Sequence, residues 1–376
     1  MKKDKKMESD WLSEEELLDN RIKKEKKRSR VAITIICVVL CLLVTTPFVA
    51  CSGAKMWLRN KISKMNYIPA EDYSFDGSAD EEDMETTVPD APAPDEIPPY
   101  EIIEGWYDGN TVAADYEKEV INVLLIGADT LDGNHARSDT MILMSINTVK
   151  KKIVFTSFMR DSYLELPGYN YNRLNAAHAK GGPAFLMETI EYNFGIDIDY
   201  YAKVDFTSFK DAVDAIGGMT LTVNDVNYNY FYDWDGIDGL SQAQACDGTH
   251  TVHLNGEEAL GYARTRKGHR VEHSDFGRTL HQRDFLMQFV NSCKGSSLGE
   301  LNDMLDVLLP HVVTDMPQEE VENQILKILT YISYSVNDAR VPCAGSYADY
   351  TTSSGAQVLN INVPANAKYV KAVIYG

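Results

Sequence analysis

The sequence predicts an α/β fold: a mixed central β-sheet with helices on both faces, in an α-β-α arrangement, preceded by one transmembrane helix. Between residues 119 and 293, apolar runs of strand length alternate with segments whose apolar residues recur at helical spacing. The first run, residues 121–127, is apolar almost throughout, as expected of a strand buried on both faces. Near the N-terminus, the uncharged segment 31–50 is long enough to cross a bilayer as a helix.

The other elements follow in chain order. Residues 141–146 and 153–158 are apolar and are joined by a short polar turn, which predicts an antiparallel hairpin. The Gly181-Gly182-Pro183 sequence predicts the start of a helix, because proline suits the first helical position. The remaining predictions are strands at 200–206 and 219–223, helices at 207–216, 255–263 and 275–293, helical patterns at 298–309 and 317–332, and a final strand pair at 357–363 and 369–375.

Composition divides the chain into five parts. These are a basic cytoplasmic tail (1–30), a transmembrane signal anchor (31–54), an acidic, proline-rich extracellular spacer (55–117), a catalytic domain (118–295) and C-terminal helices and strands that complete the same domain (296–376). Residues 21–30 hold seven Lys and Arg, whereas only Lys55 and Arg59 closely follow the apolar segment, so the N-terminus is expected to be cytoplasmic. Residues 65–117 contain 16 acidic side chains, no Lys or Arg, and six of the 13 prolines, which predicts a semi-extended spacer.

Two alternatives for the N-terminal region remain open. A cleavable signal peptide is disfavoured because the apolar segment is longer than the usual signal core. Phe48-Val49-Ala50-Cys51 resembles a lipobox, which leaves lipidation at Cys51 as an alternative to a plain anchor.

Outside the membrane, Cys246, Cys293 and Cys343 allow one internal disulfide at most. The net charge of −20 argues against nucleic acid as a partner, because binding phosphate backbones requires a basic surface.

Charged residues cluster where predicted elements begin or end. Arg137 and Asp139 precede a strand, Arg160 ends the next, and Arg264 and Arg266 follow a helix. Because strand ends of one sheet converge on one rim, these side chains are expected to meet. Each Arg-Asp neighbour pair taken singly is also explained as an ordinary ion pair.

A second feature predicts phosphate binding. Asp275 suits the N-cap of a helix on which Arg278 and Gln282, four residues apart, share one face. A helix N-terminus favours anions, and a guanidinium on that turn strengthens the preference. Asp129 and Asp139 supply the hard oxygen ligands that Mg²⁺ prefers, so they are the candidate metal ligands.

Five motifs occur in order along the chain: 121–129 (INVLLIGAD), 137–141 (RSDTM), 157–161 (SFMRD), 262–266 (YARTR) and 275–278 (DFGR). They resemble the motifs of the LytR-CpsA-Psr family of cell-envelope glycopolymer ligases, whose domain is also called a cell envelope-related transcriptional attenuator. The resemblance implies a membrane-anchored phosphotransferase on the outer face of a Gram-positive-type cell membrane. Such an enzyme moves a glycopolymer, of teichoic acid or capsular polysaccharide type, from a polyprenyl pyrophosphate carrier to peptidoglycan, forming a phosphodiester.

The resemblance also assigns roles. Asp129 and Asp139 would bind Mg²⁺ (or Mn²⁺), and Asp275 would order the arginines or act as a base. The implied pyrophosphate-binding residues are Arg137, Arg160, Arg264, Arg266, Arg278 and Gln282, and the implied catalytic residues are Arg160, Arg264, Arg266, Asp275 and Arg278. The family usually has arginine directly before the glutamine, whereas this chain has His281, which puts one phosphate contact in doubt; Arg283 is a possible substitute.

The carrier lipid requires an apolar slot. The candidate lining residues are Phe185, Leu186, Ile190, Phe194 and Phe209, although their pattern favours ordinary core. Two other functions remain open: a polyprenyl-pyrophosphate phosphatase, with water as the acceptor, and a non-catalytic cell-envelope regulator.

Overall fold

In the computed structural model, the described residues are 52–69, 119–128, 138–215, 217–224, 249–264, 275–293, 306, 309–331 and 333–376. None of the helices within these ranges combines the length and apolar character that a bilayer crossing requires. The predicted transmembrane segment at 31–50 and the predicted helical pattern at 298–309 lie wholly or mostly outside them.

A seven-stranded mixed sheet forms the centre of the fold. The predicted hairpin is confirmed, because β3 (Ser138–Asn147) pairs antiparallel with β4 (Lys152–Phe158). On the other side of β3 lies antiparallel β2 (Val120–Ala128), which pairs in turn with parallel β7 (Tyr200–Asp205). The strand order is β1-β10-β7-β2-β3-β4-β11, with outer strands β1 (Asn66–Tyr67), β10 (Val313–Thr314) and β11 (Ser335–Val341).

Both faces of this sheet are covered by helices, so the predicted α/β fold class with a mixed central sheet is confirmed. Along β2, Val123 and Leu125 enter one core, whereas Leu124 and Ile126 enter the other, as the period of a strand requires. The first core includes side chains from α1 (Ser52–Ile62), α3 (Phe206–Ala215), α4 (Gly256–Arg264), α5 (Asp275–Cys293) and α6 (Gln318–Tyr331). The second includes α2 (Leu174–Phe194) and α7 (Val363–Tyr375).

Two smaller sheets complete the described fold. A four-stranded sheet has the order β12-β13-β5-β6, formed by β12 (Tyr347–Thr351), β13 (Gln357–Ile361), β5 (Ser162–Glu165) and β6 (Tyr171–Arg173). The third sheet is the antiparallel pair of β8 (Met219–Asn224) and β9 (Thr249–Leu254). Because β5 follows β4 after only three residues, the four-stranded sheet begins where Arg160 lies.

The prediction of a strand at 369–375 was wrong, because these residues belong to α7. The Asn362 side chain accepts a hydrogen bond from the Ala365 N–H, and Pro364 lies in the first turn. Val370 and Ile374, four residues apart, are fully buried. α2 also differs from its predicted start, since it already begins at Leu174 and is kinked at Gly181 and Gly182, where Gly182 has φ 64°.

The predicted spacer at 55–117 is corrected at its beginning, because α1 and β1 pack onto the folded domain. Leu58 and Ile62 are buried in the first core, and Arg59 pairs with Glu322 of α6 at 2.7 Å. β1 pairs with β10 at the edge of the central sheet. Leu58 and Ile62 are four residues apart, so they lie on the same face of α1. The strongly acidic composition beyond residue 65 led to these residues being assigned to the spacer.

Cys343 is a free, buried thiol.

A partly buried carboxyl gives a pH-dependent prediction. Burial raises the pKa of Asp315 to about 6, although its Oδ1 accepts a hydrogen bond from the Tyr201 N–H at 2.8 Å. An unfolded Asp titrates near about 3.9. The folded state therefore binds this proton more tightly, and its contribution to stability falls as the pH rises from about 4 to about 6. We expect Asp315→Asn, which keeps the acceptor oxygen, to be more stable than the wild type at pH 7.5 but not at pH 4.

Urea unfolding of both proteins at the two pH values measures this difference. A wild-type-to-variant difference in unfolding free energy that is the same at pH 4 and pH 7.5 would show that Asp315 does not titrate in this window. Comparison within one pH value removes the effect of the other carboxyl groups, because both proteins share them.

Candidate functional site

Two arginines and two aspartates from separate elements meet at one rim of the central sheet. Arg160 directly follows β4, and its Nη1 donates to Asp139 Oδ1 of β3 at 2.5 Å. Arg278, in the first turn of α5, lies 2.8 Å from Asp275 Oδ1 through Nη2 and donates from the same nitrogen to the Asp139 carbonyl at 3.1 Å. Arg160 Nε also lies 3.7 Å from Asp275 Oδ1, so the four side chains form one alternating cluster.

The cluster is largely shielded from solvent. The Arg278 side chain is 5% exposed and that of Asp275 is 9% exposed, whereas Arg160 and Asp139 are each 22% exposed. Burial opposes the charge on Arg160, but the carboxylates of Asp275, Asp139 and Asp161 more than offset it and raise the Arg160 pKa. Both guanidiniums therefore carry fixed positive charge, and the more exposed Arg160 is accessible to an incoming anion.

Gln282 extends the same face of α5 by one turn. Its Nε2 donates to Thr140 Oγ1 at 2.8 Å. Opposite Thr140 on β2 stands Gly127, where an added Cβ would lie 2.9 Å from the Thr140 Cβ. Only glycine therefore allows Thr140 to keep this position, which places a donor and a hydroxyl beside the arginine cluster.

An apolar cavity opens next to Thr140 and Gln282. Its polar lining is Thr140, Gln282 and Arg264, the last residue of α4. The apolar lining includes Leu125, Ala202, Val204, Phe209, Phe285 and Val312. The site thus combines a cationic head region with an apolar pocket on the side of the sheet covered by α3, α4 and α5.

Comparison with known proteins agrees with this arrangement. The model of the LytR_cpsA_psr family matches residues 101–369. The chain belongs to this family. The regulatory protein MsrR of Staphylococcus aureus is 32% identical over 255 residues, which cover 67% of this chain and 73% of MsrR. TagU of Oceanobacillus iheyensis, a polyisoprenyl-teichoic acid–peptidoglycan teichoic acid transferase, is 32% identical over 213 residues, which cover 55% of this chain and 62% of TagU.

Solved structures of the LytR-CpsA-Psr family share the fold. TagT bound to LIIa-WTA is 27% identical with a TM-score of 0.53, and the match covers 71% of this chain and 96% of TagT. YwtF (TagT) with bound octaprenyl pyrophosphate lipid is 25% identical with a TM-score of 0.50, and covers 71% and 95% of the two chains. The fold is therefore that of these family members, one of which was solved with bound octaprenyl pyrophosphate lipid.

The structure divides the predicted site residues of this LytR-CpsA-Psr protein into three groups. Asp139, Arg160, Asp275, Arg278 and Gln282 come together at the rim. Arg264 lines the adjoining cavity. Asp129, Arg137 and Arg266 lie outside the described residues.

Most of the predicted lipid slot is corrected. Phe209 lines the cavity, but Leu186, Ile190 and Phe194 of α2 are fully buried in the second core, on the opposite face of the sheet. Phe185 packs against that core and contacts the ring of Tyr169. Helical spacing identified a buried face of α2 but not which side of the sheet the helix covers.

The departure at His281 has a structural explanation. His281 is buried beside the Tyr262 ring of α4, with ring centroids 4.8 Å apart, so it faces the first core instead of the rim. Arg283 is buried as well, and its Nε donates to Asp338 of β11 at 2.9 Å. Neither side chain therefore replaces the missing arginine, and Gln282 alone of these three reaches the site.

The donor atoms at the rim are compatible with a divalent cation. Asp139 Oδ2 lies 3.7 Å from Arg278 Nη1, beyond hydrogen-bond range, so this oxygen keeps a lone pair for a hard cation. In the part of the chain that the structure describes, no three potential metal ligands cluster, and Asp129 lies outside that part. The described donors thus supply one carboxylate ligand with suitable chemistry.

Two contributors were not predicted: Thr140 accepts the Gln282 hydrogen bond, and Gly127 makes room for Thr140. Asp161, the last residue of the 157–161 motif, lies between Arg160 and Arg173 at 3.5 and 3.6 Å. The partners of Thr140 and Gly127 come from a helix and a neighbouring strand, so tertiary packing was needed to find them.

Proposed function

We propose that this protein is a membrane-anchored phosphotransferase that moves a glycopolymer from a polyprenyl pyrophosphate carrier to peptidoglycan. The observation that supports it is the partly shielded arginine–aspartate cluster beside an apolar cavity lined by Thr140 and Gln282, because a lipid pyrophosphate also combines a charged head with an apolar chain. The relatives named as teichoic acid transferases, and the family structure with bound octaprenyl pyrophosphate, support the same substrate class.

In the proposed reaction, a sugar hydroxyl of peptidoglycan attacks the phosphorus that carries the glycopolymer. A new P–O bond forms, the bond to the bridging oxygen breaks, and polyprenyl phosphate leaves with the electron pair. Arg160 and Arg278 hold phosphate oxygens and offset the charge that develops on them. The hydroxyl proton passes to solvent or to a carboxylate at the rim.

Asp275 is better suited to positioning than to accepting a proton. Its Oδ1 lies 2.8 Å from Arg278 and 3.7 Å from Arg160, so this oxygen already faces two guanidiniums. Asp275 therefore orders both guanidiniums, with Asp139 supporting them from β3.

Asp139, with Asp129, would also hold Mg²⁺ (or Mn²⁺), which when bound supplies further charge neutralisation for the leaving phosphate.

We further propose a single-pass membrane protein with a cytoplasmic N-terminus and an extracellular domain. The positive residues before segment 31–50 support this orientation. α1 begins at Ser52, directly after that segment, and exposes Met56 and Trp57, side chains suited to a bilayer interface. The domain would then lie close to the outer surface of the cytoplasmic membrane.

Two alternative functions make different predictions in one assay. A phosphatase acting on the same lipid would release the polymer into solution, whereas a transferase would attach it to purified peptidoglycan. A cell-envelope regulator, as the name of MsrR suggests, would bind the lipid without turning it over. Incubating the full chain with a labelled polyprenyl pyrophosphate-linked polymer and sacculi separates the three outcomes.

Filling the cavity should block the lipid. Ala263 of α4 lines the cavity, and Ala263→Trp would place an indole within it. We expect affinity for octaprenyl pyrophosphate to fall at least about tenfold, a loss of about 1.4 kcal/mol. Ala344→Trp, on an exposed turn, adds the same volume elsewhere and should bind normally. Equal affinity of both variants, measured by calorimetry, would remove the assignment of this cavity to the lipid.

A further inference from the structure

One face of the four-stranded sheet carries a row of tyrosines that the proposed chemistry does not use. In the strand register, Asn360 lies beside Ala348 on β12 and beside Tyr163 on β5, which places Tyr350 and Tyr163 on the same face. Their rings are 6.2 Å apart, and the Tyr163 and Tyr171 rings are 5.5 Å apart. The row therefore crosses the sheet from β12 to β6.

The row continues onto α2. Tyr171 pairs with Glu165 across β5 and β6, and Glu165 is hydrogen-bonded to the side chain of Tyr192. Tyr192 is 59% exposed, and Tyr171 and Tyr350 are partly exposed. We name Tyr163, Tyr171, Tyr192 and Tyr350 the tyrosine face.

This face is not part of either hydrophobic core. On the opposite side of the same strands, Leu164, Leu359 and Ile361 belong to the second core, whereas none of the four tyrosines does. Tyr163 itself is only 3% exposed, beside the rings of Tyr171 and Tyr350. The sheet thus uses one side for packing and presents the partly exposed rings of Tyr171 and Tyr350 on the other. Tyrosine supplies a rigid contact surface with a polar end, which suits recognition of another molecule.

The tyrosine face is continuous with the arginine–aspartate cluster. Arg173 pairs with Tyr163 across β5 and β6, and its Nε lies 3.6 Å from Asp161 Oδ1. Asp161 Oδ2 lies 3.5 Å from Arg160 Nε, so Asp161 connects the two regions. A chain lying along the tyrosines would reach Arg160 from β5 and β6, whereas the lipid cavity lies beside Thr140 and Gln282.

The charged residues around the tyrosine face indicate which kind of polymer it binds. Glu165 and Asp161 offset Arg173, so the face offers no net positive charge to a polyphosphate. An uncharged sugar strand is favoured instead, because its apolar C–H faces stack on aromatic rings while its hydroxyls bond to the tyrosine hydroxyls and Glu165.

We propose that the tyrosine face binds the glycan strand of the acceptor and directs a sugar hydroxyl toward Arg160. This inference rests on the proposed transferase function and names the position of its second substrate. The donor polymer would leave the site by another route.

The test compares three forms of the full chain: wild type, Tyr171→Ala/Tyr192→Ala and Tyr67→Ala. Tyr67 is 54% exposed on β1, so its replacement controls for loss of a surface tyrosine. Calorimetry with a soluble N-acetylglucosamine tetramer and co-sedimentation with purified sacculi measure glycan binding. Octaprenyl pyrophosphate binding is measured in parallel as a readout of the donor site.

The double variant should bind the tetramer at least about tenfold more weakly, since each stacked ring adds a modest increment. Tyr67→Ala and the wild type should be equal, and all three should bind octaprenyl pyrophosphate equally. Normal glycan binding by the double variant would overturn this inference, as would a wild type that binds purified teichoic acid but not the tetramer. Failure of the wild type to bind octaprenyl pyrophosphate would instead overturn the proposed function.

Should the double variant be unstable, Tyr192→Ala alone keeps the test decisive. Its side chain is mostly exposed, so its removal leaves the packing of the sheet intact. We expect a loss of glycan affinity of about threefold, as for one aromatic contact at a surface. An unchanged affinity in this variant also contradicts the inference.

Discussion

Replacing Arg160 with alanine is expected to lower polymer transfer by about 10³-fold, since one preorganised cationic donor to a transferring phosphoryl group has an effect of that order. Arg160 is the more exposed guanidinium of the cluster, and it is held by Asp139 at 2.5 Å and by Asp275 at 3.7 Å. Arg160→Lys should recover only part of the loss, because an ammonium keeps the charge but not the two-pronged geometry. The measurement is the initial rate of labelled polymer incorporation into sacculi.

Arg59→Ala is the matched control for loss of an arginine ion pair. Arg59 pairs with Glu322 on the surface at α1 and α6, and its removal should leave the rate within about twofold, because surface pairs contribute little. The melting temperatures of both variants show whether the fold is intact. If folded Arg160→Ala transfers polymer at the wild-type rate, the phosphate-site assignment is lost.

Asp139→Asn is expected to reduce transfer by about 10²-fold, a smaller effect than that of Arg160→Ala. The substitution removes the charge that holds Arg160 and Arg278 and leaves a weaker ligand for a divalent cation. Chelation of divalent cations should suppress the wild-type rate, and added Mg²⁺ should restore it. Calorimetric titration with Mg²⁺ provides a readout that is independent of turnover.

Asp338→Asn provides the matched control, because Asp338 also pairs with a buried arginine, Arg283, at 2.9 Å but away from the rim. It should retain both Mg²⁺ binding and transfer. Equal Mg²⁺ affinity in Asp139→Asn and the wild type would restrict Asp139 to ordering the arginines. A wild-type rate insensitive to chelation would remove the metal from the proposal.

Much of the fold could be predicted from the sequence because the patterns that indicate strands and helices are local. Continuous apolar runs predicted β2 and, with the short polar turn between them, the β3–β4 hairpin. Asp275 at a helix start predicted the first turn of α5 with Arg278 and Gln282 on one face. The motif order also pointed to the family. These features depend on residues fewer than about ten apart, whose relation is set by the backbone geometry of a strand or helix.

Only the tertiary structure determined which residues that are far apart in the chain pack together. Period and composition do not encode the side of the sheet that a helix covers, so the sequence could not separate the α2 candidates, which lie in the second core, from Phe209 of α3, which lines the cavity. Likewise His281 turned out to face Tyr262, α1 joined the core, and the tyrosine face formed from three strands and a helix. Each outcome depends on pairing and packing between segments far apart in the chain, which local propensity does not determine.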